Sequence, residues 1–163
     1  MKSFAFAAIA SLATADKSDF PDDDFMHCKC HITATFNTDC NTLFSIMLPM
    51  IASWNPEPLD TPGYYTIKEE ASVDYIWSQR LTYNQMYTDD QLFEFAPASN
   101  NYCTVTGRSR SETTSLLDNN VNYCNLWNVY SGAEVAAVAT FNIDKSFNCS
   151  QTPDDPVTTC ARY

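Results

Sequence analysis

The residues richest in chemistry stand together early in the chain: His27-Cys28-Lys29-Cys30-His31. Two thiols and two imidazoles are donor types that hold zinc or copper. On a strand, however, successive side chains point to opposite faces. Cys28 and Cys30 would share one face, with alpha carbons about 6.6 Å apart, and His27 and His31 the other. One ion then cannot reach all four without a sharp bend. Cys-x-Cys is also tighter than the usual zinc pair. The preferred reading is a disulfide framework in which Cys28 and Cys30 each bond a different distant cysteine. A metal set of His27, Cys28, Cys30 and His31 is the alternative.

Seven cysteines, at 28, 30, 40, 103, 124, 149 and 160, are all disulfide candidates. Their odd number leaves at least one unpaired or bonded to a second molecule. Sequence does not fix connectivity; the spacing suggests Cys103–Cys124 within one unit and Cys149–Cys160 closing the tail.

His27 and His31 are the only histidines, so any Ser-His-Asp or Cys-His mechanism must use one of them. No G-x-S-x-G elbow occurs. Three glycines, at 63, 107 and 132, provide no phosphate-cradling or dinucleotide fingerprint, and no cofactor is implied. Acids are abundant, and a carboxylate pair for glycoside hydrolysis remains open, although nothing singles out a pair. Asp16, Asp19 and Asp22 to Asp24 lack EF-hand spacing and read as a solvated acidic leader. Arg108 and Arg110 share a strand face, and Arg80 falls on a neighbouring strand. Together they are a candidate anion site, with a salt-bridged outer face as the plainer reading. Asn148-Cys149-Ser150 is the sole N-glycosylation sequon.

The elements that must position these residues follow from pattern. Met1 to Ala15 has the positive start, apolar stretch and small-residue cleavage site of a secretory signal peptide. Residues 16–26 form an acidic, flexible lead, and 27–163 a single disulfide-stabilised domain. The formal net charge of -11 argues against nucleic-acid partners and against anionic membranes. No later run reaches the roughly 20 apolar residues of a membrane span. Residues from His27 alternate as a strand. Asp39 caps a helix from Cys40 that Pro49 should end or kink, with a buried apolar strand from Leu43 to Met50 as the alternative. Asn55 to Gly63 is a loop, Tyr64 to Glu70 a strand, and Ser72 to Tyr87 a strong strand. Thr88 to Gln91 turns the chain, and Leu92 to Phe95 returns it. Cys103 to Tyr130 reads as two strands joined by a polar turn at Leu117 to Asn120. Residues 133–143 fit either helix or strand, and an irregular tail follows. The fold class is α+β: mainly an antiparallel sheet with one helix packed on one face.

Two resemblances rest on particular residues. Leu117-Asp118-Asn119-Asn120-Val121-Asn122-Tyr123-Cys124-Asn125-Leu126, with Cys103 before it and Cys160-Ala161-Arg162-Tyr163 at the end, resembles a loose group of small secreted eukaryotic proteins. That group shares a D-x-x-x-N-Y-C-N-L block and a terminal Cys-x-x-Tyr. The resemblance implies an architecture and no activity. Cys103-Thr104-Val105-Thr106-Gly107 is similar to the Q-x-V-x-G of cystatins, except that Cys103 replaces the glutamine. Three functions stay in view. The first is a secreted, non-enzymatic binding module for an extracellular protein, small molecule or glycan. The second is a subunit of an extracellular coat, matrix or filament, cross-linked through the odd cysteine. The third is a small secreted hydrolase.

Overall fold

The computed structural model describes residues 16–59, 63–71, 73–137 and 139–161. The signal peptide expected at Met1 to Ala15 lies outside them. Six strands and three helices follow in order: β1 (Lys29–Phe36), α1 (Cys40–Ser53), β2 (Tyr64–Ala71), β3 (Tyr75–Leu81), β4 (Thr88–Ala98), β5 (Tyr102–Ser111), α2 (Val121–Ala137), β6 (Phe141–Phe147) and α3 (Pro156–Cys160). The strands form one antiparallel sheet in the order β2-β3-β4-β5-β1-β6. Both long helices lie on one face of it, so the α+β reading holds.

In β1 the alternation works as expected: Cys30, Ile32, Ala34 and Phe36 are buried and the intervening residues are not. Asp39 caps α1, its carboxylate accepting from the Thr42 amide at 3.0 Å. The helix runs past Pro49 to Ser53, because Leu43, Phe44, Met47 and Ile51 on either side of the proline are all buried against the core. The loss of one backbone bond is outweighed by that burial.

Several expectations fail. The second half of the Cys103–Tyr130 unit is helix α2, not a strand. Its first half is β5, and the expected turn is present, with Asn119 and Asn120 at positive φ. Thr88 to Gln91 is not a turn but the start of β4. The strong strand at 72–87 contracts to β3, and 133–143 divides between α2 and β6. Part of the tail is the short helix α3, capped by Asp155.

The disulfides are Cys30–Cys149, Cys40–Cys103 and Cys124–Cys160, which overturns both suggested pairings. Cys124 sits on α2, facing α3, and cannot meet Cys103 across a hairpin. Cys103 lies opposite Phe36, so the chain returning at Cys40 reaches it instead. Cys28 is free and buried; Cys30 alone of that pair is bonded. Three disulfides suit an oxidising compartment. Among the described residues no helix is long and apolar enough to cross a membrane.

The opposite face of the sheet is covered by the acidic lead. Lys17–Asp19 is one 3-10 turn, and Phe20 is buried edge-on against Trp77 at 5.5 Å, beside Tyr75 and Leu92. Asp24 then binds Arg110 at 2.7 Å and His27 at 2.8 Å. Lys17 reaches Asp74 at 2.8 Å.

Candidate functional site

The helix-covered face of the sheet is not uniform. At one end the inward residues are Val105, Phe93, Phe95, Ile32 and Phe36. At the other they are Arg80, Asp89, Gln91, Ser109 and Ser111, all buried. The buried stripe of α2 is divided in the same way, with Leu126, Val129, Tyr130 and Ala133 over the apolar end and Asn122 and Asn125 over the polar end. Buried polar atoms must find partners or lose about 1–3 kcal/mol each, and here most find one another, while Gln91 Nε2, Asn125 Oδ1 and Asp118 Oδ1 stay unpaired among the described residues. Asn122 Nδ2 donates to Ser111 Oγ at 2.9 Å and to Asp118 Oδ2 at 2.7 Å, while its Oδ1 accepts from Ser109 Oγ at 2.7 Å. Asn125 Nδ2 donates to Asp89 Oδ2 at 2.9 Å and to Ser109 Oγ at 3.1 Å. Burial pushes the Asp89 carboxyl up, while hydrogen bonds from Asn125 and Ser111 and the nearby Arg80 hold it back.

Arg80 belongs to a second buried group. Its Nε donates to Glu57 Oε2 at 3.1 Å, and the same oxygen accepts from the Gly63 amide at 3.2 Å. Tyr65 Oη donates to Glu57 Oε1 at 3.4 Å. Burial raises the Glu57 carboxyl above its usual range despite the guanidinium beside it. Gly63 is required by that contact: a side chain there would occupy the space of the Arg80 guanidinium.

A cavity of about 280 Å³ opens above the polar end. Asp89, Ser111 and Asp118 lie in it, with Thr82 and Tyr87 from the β3–β4 turn and Thr113, Ser115 and Leu117 from the β5–α2 loop. Both loops are braced. Asn84 Oδ1 accepts from Thr82 Oγ1 and from the Met86 amide, and the Tyr87 amide donates to Thr82 Oγ1. On the other side Gln151 Oε1 accepts from the amides of Asp118 and Asn120. The same two loops carry the exposed side chains of Tyr83, Met86, Tyr87, Leu116 and Leu117. The result is a polar, acid-floored cavity with an apolar rim. A second cavity of about 370 Å³ lies between α1 and α2, lined by Met50, Trp54, Leu59 and Val135 among others.

The sequence candidates are dispersed. His27 and His31 face the acidic lead, with His27 Nδ1 2.8 Å from Asp24 and His31 Nε2 3.2 Å from Asp23. Cys30 is buried on the other side of β1, as the alternation required. Among the described residues no group of three or more His, Cys, Asp or Glu is arranged to hold a metal ion. The three arginines do not converge: Arg80 is on the helix-covered face, and Arg108 and Arg110 are on the other. Arg108 lies over the Phe20 ring at 4.7 Å and Arg110 is paired with Asp24. Asn148 is exposed, at positive φ, with Nδ2 donating to Asp23 at 2.5 Å.

Sequence reasoning missed Asp89, Asp118, Asn122 and Asn125. A usable signal was present: residues 122, 125, 126, 129, 130 and 133 follow helical spacing. Comparison with protein-family models and with curated proteins finds no match to this chain.

Proposed function

We propose that this protein is an exported, non-enzymatic binding module whose ligand enters the cavity above Asp89. The observation that carries this is the buried network joining Asp89, Asn125, Ser109, Asn122, Ser111 and Asp118 beneath that cavity. A braced polar floor with an apolar rim has the anatomy of a recognition site, in which few polar groups fix orientation and apolar contacts supply affinity. Export is supported by the Met1–Ala15 leader and by the three disulfides, and the exposed Asn148 of the Asn-Cys-Ser sequon is the proposed glycan acceptor.

The competing readings lose support. Both histidines face the acidic lead on the opposite side of the sheet, so no imidazole serves the cavity. Cys28 is buried, which removes the thiol that would cross-link a coat or filament. The Asp89 and Asp118 carboxylates keep a hydrolase in view, yet hydrogen bonds from Asn125 and Asn122 already engage them.

The test is capture on arrays of extracellular glycans and peptides by the leaderless protein, compared with Thr113→Trp. That change fills the cavity from an exposed position. The expected result is capture by the wild type that Thr113→Trp abolishes. No capture, or capture indifferent to Thr113→Trp, overturns the site. Turnover of glycoside or peptide substrates that Asp89→Asn abolishes replaces the reading with a hydrolase.

A further inference from the structure

Resting on that binding-module reading, we infer that the cavity receives the cationic end of a lysine or arginine side chain projected from a protein partner. Three observations converge on this occupant. The first is an unused atom on the cavity wall. Asp118 lines the cavity, and its Oδ1 is buried and accepts no hydrogen bond among the described residues. It is an acceptor, so the missing group there is a donor. The second is charge. The charges acting on Asp89 are Arg80, which is already bound to Glu57, and the like charge of Asp118. A cation entering beside Asp89 and Asp118 offsets the excess in a partly desolvated setting, where such pairing is strongest. The acidity of the whole chain draws a cationic partner from a distance.

The third observation is size and rim. Pockets for drug-sized ligands start at roughly 300 Å³, and this cavity of about 280 Å³ has room for the end of an inserted side chain. Tyr87 and Leu117 line it and are exposed, and the same two loops carry the exposed Tyr83, Met86 and Leu116. Aromatic residues and methionine are enriched at protein interfaces, and a free small cation would have no use for them. The rim therefore points to a protein surface that seals over its own inserted cation.

The inference is tested by nuclear magnetic resonance titration of the leaderless protein with Nα-acetyl-lysine methylamide, its arginine counterpart and the uncharged norleucine counterpart. The expected result is that the two cationic probes shift the amide signals of Thr113, Asp118 and Asn119, while norleucine leaves them unmoved. Asp118→Asn should weaken cation binding by about tenfold or more, as loss of a charge-assisted bond does, and Thr113→Trp should abolish it. A peptide with leucine or tyrosine flanking the lysine should bind more tightly than the bare derivative, and Leu117→Asp should remove only that gain. If a glycan from the capture arrays moves these signals and neither cation does, the inference fails and the binding module stands. If no ligand of any class moves them, both fail.

Discussion

Replacing Arg80 with methionine keeps much of the stem volume and removes the guanidinium. Glu57 then stays buried with only the Gly63 amide at 3.2 Å and a long contact from Tyr65 at 3.4 Å. The two side chains are 1% and 3% exposed, so solvent cannot take over the role of Arg80. Removing one partner of such a pair costs about 3–5 kcal/mol. For a domain of this length the unfolding entropy converts each kcal/mol into roughly 3 °C. The expected fall in melting temperature at neutral pH is therefore about 9–15 °C. Urea unfolding should show the same loss with an unchanged slope. Adding Glu57→Gln removes the stranded charge, and the double variant should recover most of the loss. The pH dependence has a definite sign. Burial already raises Glu57 and Asp89, and without Arg80 both rise further. An acid raised in the folded state is penalised while charged, and the penalty disappears as pH falls through its folded value. The deficit of Arg80→Met should thus shrink as pH falls through the raised values of these acids towards their unfolded ones. A deficit below about 1 kcal/mol, a double variant as unstable as the single, or a pH-independent loss refutes the buried pair.

Non-reducing digestion and mass spectrometry should give Cys30–Cys149, Cys40–Cys103 and Cys124–Cys160, with Cys28 alkylated only in denaturant; a native Cys28 adduct or a Cys28 cross-link contradicts the fold. The hydrogen bonds of Asp24 to His27 and Arg110 hold its carboxyl well below the usual range. A depressed acid stabilises above its unfolded value, so the melting difference between wild type and Asp24→Asn should persist at about pH 5 and shrink progressively as pH falls below about 4. A difference that grows on acidification contradicts the contact. A side chain at Gly107 would collide with the Tyr130 hydroxyl and crowd Leu126 at 3.0 Å. Gly107→Ala should lose about 1–3 kcal/mol, and adding Tyr130→Phe should cost less than the two single losses combined; strict additivity refutes the contact.

How legible this protein is from sequence depends on where the local rules agree. β1 and α1 could be read because alternation, the Asp39 cap and the apolar stripe all favour one answer. α2 was lost because two of its six inward positions are Asn122 and Asn125. Their polarity hides a helical stripe that Leu126, Val129, Tyr130 and Ala133 would otherwise announce. The start of β4 was lost for the same reason. Adjacent Asp89 and Asp90 read as turn chemistry, yet in the fold Asp89 accepts from Asn125 and Asp90 accepts from Trp77 Nε1 at 2.9 Å. These misread residues include the floor of the candidate site, where natural sequences most often break local rules. Arg80 was legible as a strand residue, but its burial was not, because its partner Glu57 is on a loop.

The position of β1 has a consequence for how the chain must be assembled. Strands β2, β3, β4 and β5 are neighbours in both sequence and sheet, so each can zip onto the one before it as synthesis proceeds. β1 is made first, yet it lies between β5 and β6, and Lys29 waits for Arg110 while His31 waits for Phe147. Loop closure over such separations is slow compared with hairpin formation. Throughout that delay Cys28 and Cys30 are both open thiols competing for Cys149. Only docking of β1 in register buries Cys28 and leaves Cys30 facing its partner. The Cys30–Cys149 bond is therefore a record that the first strand has found its place.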